Sequence, residues 1–185
     1  MCEFDHAPFH SFPFHFVIMP IQHIKGDLLS SKSQYIVQQT CCTAIKAHGL
    51  SDAIAQKWPS INPYTSRKRL FRNWATLESR DCPGTIKVYE NSDGPNVICA
   101  FGQYTHGKPG HEDPAKQPVV DDATSRLLYF KQCLDRISDL KPVSVSFPFR
   151  IGCGLAGGNW KLYSAALESW ALVNPDISVS IYTLT

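Results

Sequence analysis

The sequence lacks every cysteine spacing that would hold a zinc ion. Its seven cysteines, at 2, 41, 42, 82, 99, 133 and 153, form no CxxC pair and no His/Cys cluster. Their odd count and irregular spacing also argue against a disulfide framework. The expectation is a reduced, intracellular compartment, cytoplasmic or nuclear. No apolar run approaches the roughly 18 residues that span a bilayer, so no membrane role is expected. The opening stretch MCEFDHAPFHSFPFHF lacks the basic start and apolar block of a secretory signal. No glycine loop is followed by GK[ST], and no GxGxxG opens a first βαβ unit. Charge imbalance is slight: 18 Lys and Arg against 16 Asp and Glu give +2, too little to imply nucleic acid or membrane by itself. Neither internal repeats nor low-complexity segments occur.

What is present is an ordinary globular composition. The chain has 185 residues, 43% hydrophobic and 18% charged, enough for one domain with a real core. Residues 1–15 read as an irregular arm rich in Phe, His and Pro, and 16–185 as a single domain, expected to act as a monomer. Strands are predicted at Ile21 to Lys25, Tyr35 to Thr40, in TIKVYE and NVICAFGQ, in VSVSFPF and in the closing ISVSIYTLT. Leu50, Ile54 and Trp58 share one face of a predicted helix. Residues Asp121 to Leu140 form the clearest helix, capped by Asp121 or Asp122, with a stripe of Leu127, Phe130, Leu134 and Ile137. A last helix follows Asn159, with Trp160, Tyr163, Leu167 and Trp170 aligned. Arg67 to Arg80 also reads as helical. Strands followed by helices along the whole length predict a layered α/β domain.

The stretch FPFRIGCGLAGGNW, Phe147 to Trp160, holds four glycines between a predicted strand and a predicted helix. Bare backbone lets N–H groups approach a ligand, and the helix start favours an anion, so the loop suits a phosphate or diphosphate. It reads equally as a turn whose glycines only avoid clashes. A second strand-to-helix loop, CCTAIKAHGL from Cys41 to Leu50, ends in His-Gly-Leu at a helix start. Two such loops can clamp a diphosphate from both sides. In KGDLL a strand ends in Gly-Asp, where a carboxylate can accept from an exocyclic amine or simply cap a turn.

These pieces, in this order, resemble the macrodomain, an ADP-ribose-binding fold. GDLL, HGL, IGCGL followed by Trp160, and VSIYTL look most like the branch of terminal ADP-ribose protein glycohydrolase and the DNA-directed macrodomains of bacterial toxin–antitoxin pairs. The resemblance implies a three-layer α/β/α fold with a mixed central sheet. It implies that Asp27 binds the adenine amine, with the Leu28 N–H nearby. His48, Gly49 and Leu50 would form the first phosphate loop, and Gly152, Cys153, Gly154, Leu155 and Ala156 the second. Gln39 would be a further contact, Cys41 would lie near the distal ribose, and Tyr182 and Leu184 would border the adenine. The partner would be ADP-ribose or an ADP-ribosylated macromolecule, with no metal and no cofactor.

That branch uses a lysine nucleophile on a central strand and an acid after GCGL. Here Gln103 or Tyr104 falls at the lysine place, Lys108 comes several residues later, and Ala156 follows GCGL. The remaining candidates for chemistry are His48 and His106 as bases, Cys41 and Cys153 as nucleophiles, Lys108 from its loop, and Gln103. The segment RKRLFRNW offers Arg67, Lys68, Arg69 and Arg72 beside Phe71 and Trp74. It reads either as a nucleic-acid contact or as an amphipathic helix with aromatics inward. Three functions follow from the resemblance: an ADP-ribosyl hydrolase acting on modified protein, nucleic acid or O-acetyl-ADP-ribose; a non-catalytic reader of ADP-ribose; and an ADP-ribose 1″-phosphate phosphatase.

Overall fold

The computed structural model describes residues 21–185, so the expected arm at 1–15 lies outside the described residues. The elements run β1 (Gln22–Lys25), β2 (Tyr35–Cys41), α1 (Leu50–Lys57), β3 (Arg69–Phe71), β4 (Trp74–Ala75), β5 (Ile86–Tyr89), β6 (Asn96–Gln103), α2 (Ala123–Asp139), β7 (Ser144–Pro148), α3 (Trp160–Val173) and β8 (Ser178–Thr183). The main sheet has the order β1-β8-β7-β2-β6-β5. All neighbours pair in parallel except β5, which runs antiparallel to β6.

Alternation along the strands separates two cores. In β2, Ile36 packs with Val97, Cys99, Phe101, Ile54 and Trp58 on the α1 side. Its neighbour Val37 packs with Ile98, Phe130, Leu134, Tyr163 and Leu167 on the side of α2 and α3. Helices on both faces make three layers, which is why β6 is buried over nearly its whole length and reads as a continuous apolar run. Each such fully buried aliphatic or aromatic side chain contributes about 1.5–3 kcal/mol. Asp122 caps α2 by accepting from the Ser125 N–H at 2.7 Å, and Asn159 caps α3 by accepting from the Lys161 N–H at 3.0 Å.

The topology fixes where a ligand can sit. After β2 the chain crosses α1 and continues to β5 and β6 on one side; after β7 it crosses α3 and continues to β8 on the other. Adjacent parallel strands whose chains leave in opposite directions open a crevice at their carboxyl ends.

One predicted helix is absent. Arg67 to Arg80 instead forms the antiparallel hairpin β3–β4 and a short turn of 3-10 helix at Leu77–Ser79. The reason is non-local. Arg67 is buried, only 7% exposed. Its guanidinium donates to the carbonyls of Cys41 and Ala44 and pairs with Asp81. The hairpin docks on the loop after β2 through an Ala44–Trp74 bridge and an Ala75 N–H to Thr43 O bond of 2.7 Å. Trp74 is buried, but Phe71 is 54% exposed, so the expected pairing of both aromatics on one inward face does not occur.

Candidate functional site

A cleft of about 610 Å³ lies at the carboxyl ends of β2, β6 and β7. Both loops singled out in the sequence line it. From the loop after β2 come Cys41, Ala44, Lys46, His48, Gly49, Leu50 and Ser51. From the loop after β7 come Arg150, Ile151, Gly152, Gly154, Leu155 and Ala156.

The first loop is held by side chains. Ser51, in the first turn of α1, donates to Gln38 Oε1 at 2.6 Å, and Gln38 Nε2 reaches Cys99 Sγ at 3.2 Å. Asn73 Oδ1 accepts from the Ile45 N–H at 3.2 Å, and the Tyr64 ring lies 4.9 Å from the Arg67 guanidinium. The helix starts at Gly49, which has φ +59 and offers no side-chain cap, so the first amides of α1 are left for a ligand.

The second loop is a series of backbone turns. Ile151 N–H bonds Pro148 O, Cys153 N–H bonds Arg150 O, and the Gly157 and Gly158 N–H groups bond the Gly154 and Gly152 carbonyls. Among the described residues no protein group takes the N–H of Gly154, Leu155 or Ala156. Gly152 is required at its place: φ is +70, and a Cβ there would come within 2.5 Å of both Gln39 Oε1 and Tyr163 Cε1. That carboxamide oxygen of Gln39 is itself buried without a partner. Gln39 Nε2 donates to Gln103 Oε1 at 3.1 Å, and Gln103 Nε2 to Thr105 O at 2.9 Å.

Three imidazole and indole rings close the far end of the cleft. His106 packs edge-on against Trp74 at 4.6 Å and against His111 at 4.7 Å, while His111 stacks flat on Trp74 at 5.4 Å. His106 Nδ1 is buried with no partner among the described residues. Burial, reinforced by the nearby charges of His111, His48 and Arg126, holds the His106 pKa below its ordinary value and so favours the neutral ring. A second cavity of about 900 Å³ opens beyond, lined by Phe71, Arg72, His111 and Glu112; His106 and Asn73 belong to the walls of both.

The predicted site residues separate into three groups. Gln39, Cys41, His48, Gly49, Leu50, Gln103, His106, Gly152, Gly154, Leu155 and Ala156 share the cleft wall. Asp27, Leu28, Tyr182 and Leu184 stand apart from that wall, at the carboxyl ends of β1 and β8. There the Gly26 N–H bonds Thr183 O, and Asp27 Oδ1 accepts from the Leu29 N–H at 2.9 Å. Leu28 is turned into the α1-side core and Leu184 is exposed. Lys108 and Cys153 also stand outside the wall, Lys108 with its stem against the backbone at Gly157. Neither cysteine suits a nucleophile. Burial pushes the Cys41 thiol up despite Arg67, and pushes Cys153 up to about 11, with its Sγ donating to Ile151 O. The proposed nucleic-acid set also loses a member, because Arg67 is consumed inside the protein.

Trp74 was expected only as part of the basic segment, and Asn73, His111, Tyr64 and above all Arg126 were not picked out by the sequence. Arg126 carried a readable signal: it lies four residues before Phe130, a cation on the apolar face of α2. Its partner Asp121 would be raised by burial, but hydrogen bonds from Arg126, Thr105 and the Tyr104 and Thr105 amides outweigh that and keep it below the usual carboxylate range.

No family model matches the sequence, and no curated protein matches it. Solved structures do. The macrodomain of Mycobacterium tuberculosis DarG superposes with a TM-score of 0.63 at 21% identity, over 88% of this chain and 96% of that one. A Bacteroides thetaiotaomicron protein of unknown function gives 0.60 at 25%, over 89% and 98%. The macrodomain of Thermus aquaticus DarG gives 0.59 at 17%, over 89% and 97%. With the six-stranded mixed sheet, the two layers of helices and the cleft at the carboxyl ends of its strands, the chain has the macrodomain fold.

Proposed function

We propose that the protein binds ADP-ribose in this cleft and hydrolyses ADP-ribosyl groups from a modified macromolecule. The observation that carries the reading is the pair of loops at neighbouring strand exits, one ending at a helix start and one presenting three unpaired amides, as two walls of one cleft. In this reading the subsites follow the strand order, with the adenine beyond the cleft wall. Asp27 and Tyr182 at the β1–β8 edge take the adenine, the loops after β7 and β2 take the diphosphate, and the β6 end takes the distal ribose. Four strand spacings separate the ends, about 19 Å. Lys46 and Arg150, both on the wall, offset the charge of the phosphates.

The chemistry falls to His106. Gln103 is one of the two residues expected at the place of the branch's lysine, and both ends of its carboxamide are engaged, so it neither attacks nor takes a proton. Neutral His106, whose ring is on the cleft wall, accepts a proton from water. The water oxygen bonds to C1″ of the distal ribose, the bond to the acceptor breaks, and the acceptor leaves protonated. Calorimetry with ADP-ribose tests the first half: micromolar or tighter affinity, lost in Asp27→Ala. Absence of heat at millimolar ligand removes the reading altogether. Incubation with ADP-ribosylated protein and ADP-ribosylated DNA tests the second half. His106→Gln should keep the affinity and lose turnover; binding without turnover at stoichiometric enzyme would identify a reader instead. Phosphate release from ADP-ribose 1″-phosphate would point to the phosphatase.

One observation favours a nucleic-acid acceptor. Lys68, Arg69 and Arg72 are exposed on the hairpin around Phe71, whose ring the Arg72 guanidinium covers at 5.1 Å, and Phe71 and Arg72 line the cavity that shares His106 with the cleft. Faster turnover of ADP-ribosylated DNA than protein, reduced in Phe71→Ala, is the expected outcome.

A further inference from the structure

We propose that Arg126 is a positioning residue for the hydrolytic step, fixing the loop that carries His106 against the loop that holds the diphosphate. The inference rests on the hydrolase reading above. Arg126 sits in the first turn of α2, is 2% exposed, and is not part of the cleft wall. It therefore touches no ligand. Its Nη1 donates to two carbonyls from distant parts of the chain, Gly107 O at 2.6 Å and Ala156 O at 3.0 Å. Nη2 donates to Thr105 O at 3.2 Å and to Thr105 Oγ1 at 3.1 Å. Nε and Nη2 also donate to Asp121, which accepts as well from the Tyr104 and Thr105 amides.

This arrangement needs a planar fork. Arginine presents five donors in fixed directions, whereas lysine presents three from a single point and cannot span both carbonyls and the carboxylate together. His106 lies between two of the tethered residues, Thr105 and Gly107, and Ala156 is one of the residues whose amide takes no protein partner in the loop proposed to hold the diphosphate. One nitrogen thus sets the spacing between the base and the ligand's anchor. Because Asp121 neutralises it locally, Arg126 adds geometry to the cleft and little net charge.

Arg126→Lys in the full chain separates the possibilities. Amide hydrogen exchange at Thr105 in the one loop and at Gly157 and Gly158 in the other should quicken together, while the cores of β6 and α2 stay protected. Affinity for ADP-ribose should change by less than about 5-fold, and turnover should fall by about 100-fold, the cost of roughly 1 Å of misplacement. Guanidinium ion should restore part of the turnover in Arg126→Ala. Unchanged exchange, exchange confined to one loop, or equal losses of affinity and turnover would each overturn the proposal. If Arg126→Lys does not fold, Asp121→Asn read by the same exchange must loosen the same two segments, or the proposal fails. If the wild-type chain binds no ADP-ribose, the hydrolase reading falls, while the exchange in the two loops still decides whether Arg126 joins them.

Discussion

The loops that face each other across the cleft reach similar ends by different means. The loop after β2 has buried side chains at Cys41, Cys42, Thr43 and Ala44 and takes its shape from a hairpin far along the chain, through Arg67, Asn73 and Trp74. The loop after β7 takes its shape from its own backbone turns, with Gln39 wedged beneath it and Arg126 behind it. The first is a packed structure that presents a helix start; the second is a thin ribbon that presents amides. Damage to the buried braces of the first should therefore appear as lost stability, and damage to the backbone turns of the second as lost affinity.

Arg67→Ala breaks the comparison at its strongest point. It strands the Asp81 carboxylate and leaves two loop carbonyls without donors, costing about 3 kcal/mol, the low end for a buried pair because Asp81 is partly exposed. Urea denaturation should show the midpoint falling accordingly; a loss under about 1 kcal/mol would mean that the hairpin does not support the first loop. Gly152→Ala addresses the ribbon. The forced φ and the clash with Gln39 and Tyr163 should cost about 2 kcal/mol, read mainly as a roughly 30-fold loss of ADP-ribose affinity with a smaller change in melting. Stability lost in full with affinity intact would reverse the assignment of roles.

A smaller effect concerns acid. His106 titrates below its ordinary value in the fold, so the unfolded chain binds its proton first. The stability contributed by keeping His106 neutral is present above about pH 6.5 and is lost as pH falls from there toward the folded pKa. His106→Gln should flatten that part of the stability–pH curve; an unchanged slope in the variant would assign the acid sensitivity elsewhere. Smallest of all is Phe71→Ala, expected to leave stability within about 0.5 kcal/mol because the ring is mostly solvent-exposed. A drop larger than that would show that the hairpin tip is part of the packed loop.

The same contrast explains what the sequence made legible. β2, β6, α2 and α3 carry their signals locally, in apolar runs, periodic stripes and the caps Asp122 and Asn159. The ribbon after β7 was equally plain, since its glycines sit where its turns are. Residues 67–80 were not. Spacing that fits a helix was overruled by the burial of Arg67, a consequence of its bonds to the carbonyls of Cys41 and Ala44, and by Arg72 adopting φ +45 at the turn between β3 and β4. The braces Arg67–Asp81 and Arg126–Asp121 were invisible for a similar reason: a cation on an apolar face shows that it must find a partner, not where the partner is.

The flat stack of His111 on Trp74 has a practical consequence. An indole's emission depends on what lies against its faces and edges, so the brightness of Trp74 reports whether the His111 and His106 rings are in place. A protein whose other three tryptophans are replaced by phenylalanine would carry an optical gauge at the far end of its own cleft, readable without any label.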